Sequence, residues 1–277
     1  PVNCLILIIR PTFACSKVVW PAKRALPGWP CATPLSAREM SSMRETAISL
    51  IIPCYRDEAC LAQLLQQVQA LPGAAELQIV VVDAAASPAC EQLCQQHGAH
   101  WLAAEPCRGA QLRQGAAQAI RPILWFLHAD AQLQGNPLPD IRAAIDSGAA
   151  GGYFAFRFSG PGCWQSRLLE RLTNWRSGFG IPYGDQGLFA RADAYQLAGQ
   201  HSPWPLFEEV ALVRNLRRSG RLVCLDRGLL VDPRRWQRDG WWRRSLRNRL
   251  LATGFMLGVP ASTLARLYSR PETTPQP

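Results

Sequence analysis

Short apolar runs and segments with helical spacing alternate along the chain from residue 48 onward. The runs are rich in β-branched and aromatic residues, which is typical of strands buried on both faces of a parallel sheet. They predict strands at 48–53 (ISLIIP), 77–83 (LQIVVVD), 100–103 (HWLA), 123–130 (ILWFLHAD) and 151–158 (GGYFAFRF). Between them, apolar spacing and Gly or Pro stops predict helices at 61–71, 88–98, 109–121 and 136–147. This alternation predicts a single α/β domain with a mostly parallel central sheet.

The start of the chain lacks this pattern. Residues 1–45 contain six prolines and no sustained helical or strand period, and the first methionines are Met40 and Met43. We interpret 1–45 as a non-native or flexible N-terminal segment and place the α/β domain at 46–232. Residues 233–277 are predicted to form a basic, Trp- and Arg-rich helical extension.

Basic residues are concentrated at the C-terminal end. The formal net charge of the 277-residue chain is +10, and residues 214–277, with fourteen arginines and four acidic residues, have that same net charge on their own. Such asymmetry favours a polyanionic partner: nucleotide phosphates, a membrane surface or nucleic acid. An Arg-rich coding bias would produce the same excess, since the only lysines are Lys17 and Lys23.

The motifs of P-loop nucleotide-binding proteins, Rossmann dinucleotide-binding proteins and G-x-S-x-G serine hydrolases are absent, which argues against these three classes. No P-loop follows a strand, no G-x-G-x-x-G follows the first strand, and no G-x-S-x-G is present. The ten cysteines contain no C-x-x-C pair, so scattered thiols in a reducing cytoplasm explain them better than a zinc site or a disulfide framework. No stretch of 18 apolar residues predicts a membrane-spanning helix.

Acidic side chains follow three of the predicted strands. Asp57 and Glu58 come after the first strand, Asp83 ends the second, and Asp130 ends the fourth, two residues after His128. A single Asp in such a place is usually a helix cap or turn residue. Because the carboxyl ends of parallel strands meet at one crevice, however, these carboxylates would lie close together and favour a cation. Asp130 and His128 suit Mg²⁺ or Mn²⁺ that also binds a diphosphate.

These segments resemble a known enzyme family. ISLIIPCYRDE, IVVVDAAAS, CRGAQLRQGAA and ILWFLHAD, then YGDQGLFAR, PLFEEVAL and PRRW, match the family 2 inverting glycosyltransferases in order and spacing. The resemblance implies a GT-A (nucleotide-diphospho-sugar transferase) fold over 46–232. FLHAD, YGDQG, LGVP and LARLY more narrowly resemble the bacterial subgroup associated with arsenosugar biosynthesis and selenium-related gene clusters.

The resemblance also implies a donor site. Its nucleotide-sugar-binding residues would be Pro53, Tyr55, Glu58, Asp83, Arg108 and Asp130. The metal would bind Asp130 together with His128, which replaces the first Asp of the family's D-x-D motif. Further departures are Arg56, where the family usually has Asn, and Ala84 and Ala85 after Asp83.

The catalytic base is expected in the pair at 208–209. Glu209 stands where the family has its catalytic Asp, but an acidic pair at a helix start is also favoured by the helix dipole alone. Contacts with the acceptor or diphosphate are expected from Asp185, Gln186, Glu208, Arg234, Arg235 and Trp236.

Together these features predict a cytoplasmic, metal-dependent, inverting glycosyltransferase that uses Mg²⁺ or Mn²⁺. The donor would be a nucleotide-diphospho-sugar, with a UDP-sugar favoured, and the acceptor a hydroxyl on a small molecule or a lipid-linked compound. Residues 240–268 mix Arg, Trp and Leu, which suits peripheral contact with the inner face of the membrane. A helix packed on the domain with outward arginines has the same pattern. The alternative function is a catalytically inactive scaffold that binds nucleic acid or an anionic membrane through this segment; for the transferase no nucleic-acid partner is expected.

Overall fold

A seven-stranded sheet forms the centre of the protein in a computed structural model that describes residues 46–269. The interpretation of 1–45 therefore lies outside the described residues. The strand order is β3-β2-β1-β4-β7-β6-β8, and β5 and β9 pair in a separate small sheet. The strands are β1 (Ile48–Cys54), β2 (Gln78–Asp83), β3 (His100–Ala103), β4 (Ile123–Phe126), β5 (Gln132–Leu133), β6 (Gly151–Phe154), β7 (Phe189–Arg191), β8 (Leu222–Leu225) and β9 (Leu229–Leu230).

The central sheet is mostly parallel, as the sequence predicts. β1 pairs in parallel with both β2 and β4, β2 with β3, and β6 with β8. Only β7 runs against its neighbours β4 and β6 among these seven strands. The register of β1 and β2 sets Cys54 opposite Asp83, so both strands end at the same edge of the sheet.

Ten α-helices and two short 3₁₀ helices, Ala74–Glu76 and Gly184–Gln186, accompany the sheet within residues 46–269. The α-helices are α1 (Glu58–Gln69), α2 (Pro88–Gln96), α3 (Arg108–Ala117), α4 (Leu138–Asp146), α5 (Trp164–Phe179), α6 (Ala192–Leu197), α7 (Glu209–Ser219), α8 (Arg234–Asp239), α9 (Trp241–Met256) and α10 (Ala261–Ser269). The start of α2 has a clear local cause: the Ser87 hydroxyl accepts from the Cys90 amide and Pro88 follows as the first helical residue. None of the described helices is long and apolar enough to span a membrane.

Two predicted strands are shorter in the structure. β4 ends at Phe126, and the Ala131 amide donates to the His128 carbonyl, which closes a turn within the segment predicted as strand. β6 ends at Phe154, whereas the prediction extends to Phe158. The turn after β4 frees His128 and Asp130 from the sheet.

Apolar clusters cover both faces of the sheet. Alternate residues of β1 belong to different clusters: Leu50 and Ile52 join one that includes Leu61 of α1, and Ile51 joins one that includes Leu212 of α7. Each of these side chains is fully buried, and burial of one such side chain stabilises the fold by about 1.5–3 kcal/mol. The sheet and its helices thus form a rigid support for the loops at its carboxyl edge.

Candidate active site

A cavity of about 170 Å³ lies beyond the carboxyl edge of the sheet. We call it the central cavity. Several of the polar side chains singled out in the sequence line it, as do residues of the C-terminal helices. The lining includes Arg108, His128, Asp130, Asp185, Glu209, Arg235, Trp236, Arg244, Asn248 and Tyr268.

A buried ion pair forms one wall of this cavity. The Arg108 Nε atom donates to Glu208 Oε1 at 2.5 Å, and Nη2 donates to Oε2 at 3.0 Å. The Glu208 side chain is 1% exposed and that of Arg108 is 32% exposed. Although burial acts to raise its pKa, the Arg108 guanidinium holds the pKa of Glu208 below its usual range. Glu208 is therefore ionised and fully occupied by its partner.

Glu209 has the opposite environment. It is the first residue of α7, it is buried, and its Oε2 atom has no hydrogen-bond partner among the described residues. Burial and the neighbouring Glu208 carboxylate raise the pKa of Glu209 well above the usual range for a glutamate. A carboxylate with a raised pKa and a free oxygen toward a cavity is equipped to accept a proton from a bound hydroxyl.

The backbone before this pair is strained. Phe207 has a φ of 61°, in the left-handed region that phenylalanine rarely adopts. Its ring packs against that of Phe255 on α9, with centroids 4.8 Å apart. This packing fixes the turn that directs Glu209 into the cavity.

The start of α3 lies very close to residues 202–208, the loop that precedes α7. A Cβ at Gly109 would lie 1.9 Å from the Ser202 carbonyl oxygen and 2.8 Å from Glu208 Cβ, so only glycine fits. The Gly109 amide also donates to the Trp204 carbonyl. The sequence analysis did not select Gly109; its place directly after Arg108 was the available signal.

Asp130 and His128, from the turn that follows β4, also line the central cavity. The Asp130 carboxylate is 3.8 Å from Arg234 Nη2 and 3.6 Å from Arg235 Nη2, both beyond hydrogen-bond length. His128 Nε2 is buried without a hydrogen-bond partner among the described residues, and a Cβ at Gly184 would lie 2.7 Å from it. Burial and the Arg108 charge lower the pKa of His128 to about 4. The orphaned nitrogen and the incompletely satisfied carboxylate fit a divalent cation.

Arginines dominate a second pocket beside the central cavity. This arginine pocket, about 640 Å³ in volume, is lined by Tyr55, Arg56, Asp57, Arg234, Arg235 and Arg238. Arg56 has a φ of 53°, and its guanidinium lies 5.2 Å from the centre of the Tyr55 ring. Because Arg235 also lines the central cavity, the two spaces adjoin. Four guanidinium groups around one opening favour phosphate oxygens.

A third cavity extends away from Glu209 between α5 and α9. This helix cavity has a volume of about 140 Å³ and shares Tyr183, Asp185, Trp236 and Asn248 with the central cavity. Burial raises the pKa of Asp185 to about 6. The Asn248 Oδ1 atom is buried and has no hydrogen-bond partner among the described residues. Asn248 is a second residue that the sequence analysis did not select.

The match to known families agrees with this geometry. The sequence profile described as "Glycosyl transferase family 2" matches residues 49–198, more than half of the chain. The chain belongs to glycosyl transferase family 2. The matched part of this family 2 chain includes the expected site residues from Pro53 to Gln186, but ends before Glu208, Glu209 and the arginines of α8.

Solved structures share the fold of this family 2 domain. TarS from S. aureus is 17% identical with a TM-score of 0.52, over 67% of this chain and 36% of that chain. The mannosyltransferase PcManGT from Pyrobaculum calidifontis, in complex with GDP-Man and Mn²⁺, is 12% identical with a TM-score of 0.51, over 67% and 56%. TarS in complex with UDP-GlcNAc is 14% identical with a TM-score of 0.50, over 67% and 58%.

The expected GT-A fold is thereby confirmed. The chain spans about a third to three fifths of the length of those structures. No curated protein matches the sequence.

Some of the expected site residues of the family 2 domain lie away from the cavities. The Asp83 carboxylate is buried and accepts from the Ala85 amide at 2.9 Å and the Ser87 amide at 2.7 Å, so it shapes the turn before α2. The Gln186 amide is buried and donates to the Phe154 carbonyl. Pro53 is half-buried within β1, and Glu58 is the half-buried first residue of α1.

Trp236, one of the residues expected to contact the acceptor or diphosphate, lines both the central cavity and the helix cavity. Its ring packs edge-on against Phe158, with centroids 4.9 Å apart, and the Arg244 guanidinium lies 5.3 Å from its centre. Trp236 therefore has both a packing role and an exposed edge toward the central cavity.

One further group has the geometry of metal ligands. Within the part of the chain that the structure describes, the only three-residue set with ligand atoms within 4.8 Å of one another is Cys54, Asp83 and Cys90. The hydrogen-bonded Cys90 thiol and burial raise the pKa of Cys54, so its thiol stays protonated. With both Asp83 oxygens occupied by backbone amides, this group belongs to the core.

Proposed function

We propose that this family 2 chain transfers a glycosyl group from a nucleotide-diphospho-sugar to an acceptor hydroxyl with inversion, and that Glu209 is the catalytic base. The main support for this proposal is a pair of adjacent glutamates with opposite surroundings. Glu208 is neutralised by Arg108, while the Glu209 carboxylate faces the central cavity with an unpartnered oxygen and a raised pKa. The adjoining arginine pocket supports a diphosphate donor.

The reaction is a single displacement. The Glu209 carboxylate accepts the proton of the acceptor hydroxyl as its oxygen attacks the anomeric carbon. The bond from that carbon to the diphosphate oxygen breaks, and its electron pair leaves with the nucleoside diphosphate. Attack on the face opposite the leaving group inverts the anomeric configuration.

The leaving diphosphate develops negative charge that cationic side chains must stabilise. Arg234 and Arg235 are the nearest candidates, since both border the arginine pocket and already lie beside the Asp130 carboxylate. A diphosphate bound to these arginines would release Asp130 from them. Charge stabilisation of this kind often contributes more to catalysis than any other single effect.

Asp130 and His128 would hold the divalent cation. Mg²⁺ and Mn²⁺ favour carboxylates, and Mg²⁺ completes its shell with water and substrate phosphates, so Asp130 would be the principal ligand and His128 a second one. When bound there, Mg²⁺ or Mn²⁺ would neutralise charge on the diphosphate. The orphaned His128 nitrogen supports this role.

We also propose a subgroup, a donor, an acceptor class and a location for this chain. The segments FLHAD, YGDQG, LGVP and LARLY support membership of the arsenosugar- and selenium-associated bacterial subgroup. We further propose a UDP-sugar donor, a small-molecule or lipid-linked acceptor, and a cytoplasmic protein whose C-terminal segment contacts the inner face of the membrane. Residues 46–232 would form the transferase domain and 233–277 its extension. No observation favours an inactive scaffold that binds nucleic acid.

Calorimetric titration of the chain with UDP, GDP, dTDP and CDP, each with and without Mn²⁺ or Mg²⁺, tests the donor site. We expect one diphosphate, UDP in our proposal, to bind more tightly with metal, and the metal effect to disappear in Asp130→Asn. Asp140→Asn, at a carboxylate on the exposed side of α4, is the matched control and should bind like the unmodified chain. Absence of binding by every diphosphate would contradict the proposal.

A further inference from the structure

Helix α5 exposes an apolar stripe to solvent. Trp164, Leu168, Leu172, Trp175 and Phe179 recur every three or four residues and therefore share one face of the helix. Trp175 is 71% exposed and Phe179 is 83% exposed. The opposite face of α5 is buried through Ser166, Leu169 and Ser177, so packing on the domain does not require the exposed aromatics.

Helix α9 exposes a second stripe of the same kind. Trp242, Leu246 and Leu250 follow one another at intervals of four residues, and Leu250 is 63% exposed. Arg244 and Leu251 are the buried side of this helix. The apolar surface continues past the helix end at Met256 and Leu257, which are also exposed.

The two stripes adjoin and form one surface. The rings of Trp164 and Trp242 lie 5.7 Å apart between centroids, which joins the start of α5 to the start of α9. The inner sides of both helices line the helix cavity, so α5 and α9 lie side by side along it. We call this surface the α5/α9 face.

Its charge is uniformly positive. Arg167 and Arg171 are exposed on α5, and Arg249, which also borders the helix cavity, is exposed on α9. The only acidic residue from 160 to 180 is Glu170, which is half-buried and accepts from the Phe158 amide. Residues 240–269 contain no Asp or Glu.

We propose that the α5/α9 face docks on the surface of an anionic lipid bilayer. Exposed tryptophans and a phenylalanine suit the headgroup boundary, leucines suit the acyl region, and the arginines suit anionic headgroups. The α5/α9 face would make the membrane contact of the proposed function. Its docking therefore rests on that contact, but not on glycosyl transfer.

Charge complementarity favours a bilayer over a second copy of the chain. Two such faces packed together would bring arginines against arginines, and neither face offers an exposed carboxylate in return. An apolar stripe of this extent is unusual on a surface that stays in water. An anionic bilayer satisfies the apolar and the basic residues at once.

Co-sedimentation of the full chain with lipid vesicles tests the proposal. We expect binding to vesicles of phosphatidylcholine with phosphatidylglycerol, and weaker binding to phosphatidylcholine alone or at high salt. Trp175→Ser/Phe179→Ser and Arg167→Glu/Arg171→Glu should each lower the partition coefficient by roughly ten-fold or more. Unchanged melting temperatures would show that these surface variants remain folded.

Matched control variants distinguish binding through the α5/α9 face from non-specific binding to vesicles. Ile120→Ser/Leu197→Ser removes two apolar side chains that are 76% and 83% exposed elsewhere on the molecule, and should bind vesicles like the unmodified chain. Arg113→Glu/Arg227→Glu makes the same charge change away from the face.

Three outcomes would overturn the proposal. One is that the full chain does not bind anionic vesicles, or binds RNA instead. Another is that face and control variants lose vesicle binding equally. The last is a dimer that Trp175→Ser/Phe179→Ser converts to a monomer while vesicle binding is absent. Donor binding measured in parallel is independent of all three, so a failed docking face does not count against glycosyl transfer.

Discussion

At the scale of single residues, the site depends on two neighbouring carboxylates with different partners. Glu208 is stabilised as an anion by Arg108, whereas Glu209 is buried beside that anion without a cation of its own. The ion pair keeps the Glu208 charge fixed, and this charge helps to make Glu209 a stronger base. Ionisation of a carboxyl group in such surroundings lowers the stability of the fold.

Removing the Glu209 charge should therefore stabilise the protein. The raised pKa means that the folded state prefers the protonated form, so the contribution of Glu209 to stability is present at acidic pH and is lost as the pH rises through the folded-state pKa. We expect Glu209→Gln to raise the melting temperature at pH 8 by about 2–4 °C per kcal/mol gained. This increase in melting temperature should disappear near pH 4. The control Glu105→Gln, at an exposed carboxylate, should not raise the melting temperature. A lower melting temperature for Glu209→Gln at pH 8 would refute this account.

Arg108 should matter more for stability than its partial exposure suggests. Arg108→Met leaves the Glu208 carboxylate buried without a counter-charge, which we expect to cost about 2–3 kcal/mol, less than a fully buried pair because a third of Arg108 is exposed. The double variant Arg108→Met/Glu208→Leu should regain part of that loss. Urea denaturation measures both, and a single variant as stable as the unmodified chain would contradict the ion-pair assignment.

At the scale of secondary-structure elements, the start of α3 packs against residues 202–208, the loop that leads into Glu209. Gly109 allows the helix to approach the Ser202 carbonyl and the Glu208 side chain, and no larger residue fits there. The position of the Glu208–Glu209 pair is thus set partly by a glycine 100 positions earlier. Its place after Arg108 draws attention to Gly109, but sequence spacing does not show which distant residues it contacts.

Gly109→Ala should displace this loop. We expect a loss of about 1–3 kcal/mol from overpacking, together with weaker catalysis from a misplaced Glu209. The control is Gly178→Ala in α5, where an added Cβ meets nothing within 4 Å and alanine favours the helix by about 0.5–1 kcal/mol. Equal melting temperatures for the two variants would argue against the close approach.

Strands buried on both faces could be predicted from the sequence, whereas the contacts of individual polar side chains could not. The buried strands β1 and β2 can be recognised in the sequence because most of their residues are apolar. Asp83 follows a strand as a ligand would, yet its carboxylate caps the turn before α2, an arrangement with the same sequence signature. The pairing of Arg108 with Glu208 and the position of Asn248 depend on tertiary packing, which periodicity does not encode.

At the scale of the whole molecule, the basic C-terminal helices complete the site. Arg244 donates to Asp239 at 2.6 Å and to the Tyr268 hydroxyl at 2.8 Å, and so links α8, α9 and α10. The same helices contribute Trp236, Arg244 and Asn248 to the cavities. The excess of arginine near the C-terminus thus has structural and electrostatic uses beyond a solvated surface.

Arg244→Met should loosen this arrangement. The Arg244 side chain is buried, and its removal leaves Asp239 and Tyr268 without their shared donor, which we expect to cost about 1–3 kcal/mol. Exposed Arg249→Met on the same helix should stay within about 0.5 kcal/mol of the unmodified chain. Thermal unfolding compares the two, and an equally small effect of both changes would remove Arg244 as the link between the helices.

Release of nucleoside diphosphate from a panel of UDP-, GDP- and dTDP-sugars with Mn²⁺ tests the central claim most directly. Water serves as the acceptor in this assay, so the natural acceptor need not be known. We predict that the unmodified chain and Glu105→Gln release diphosphate from one of these donors, and that Glu209→Gln lowers the rate by about 10²–10⁴-fold. Release from no donor, or release that Glu209→Gln leaves unchanged, would contradict the assignment of this site as a glycosyltransferase centre with Glu209 as its base.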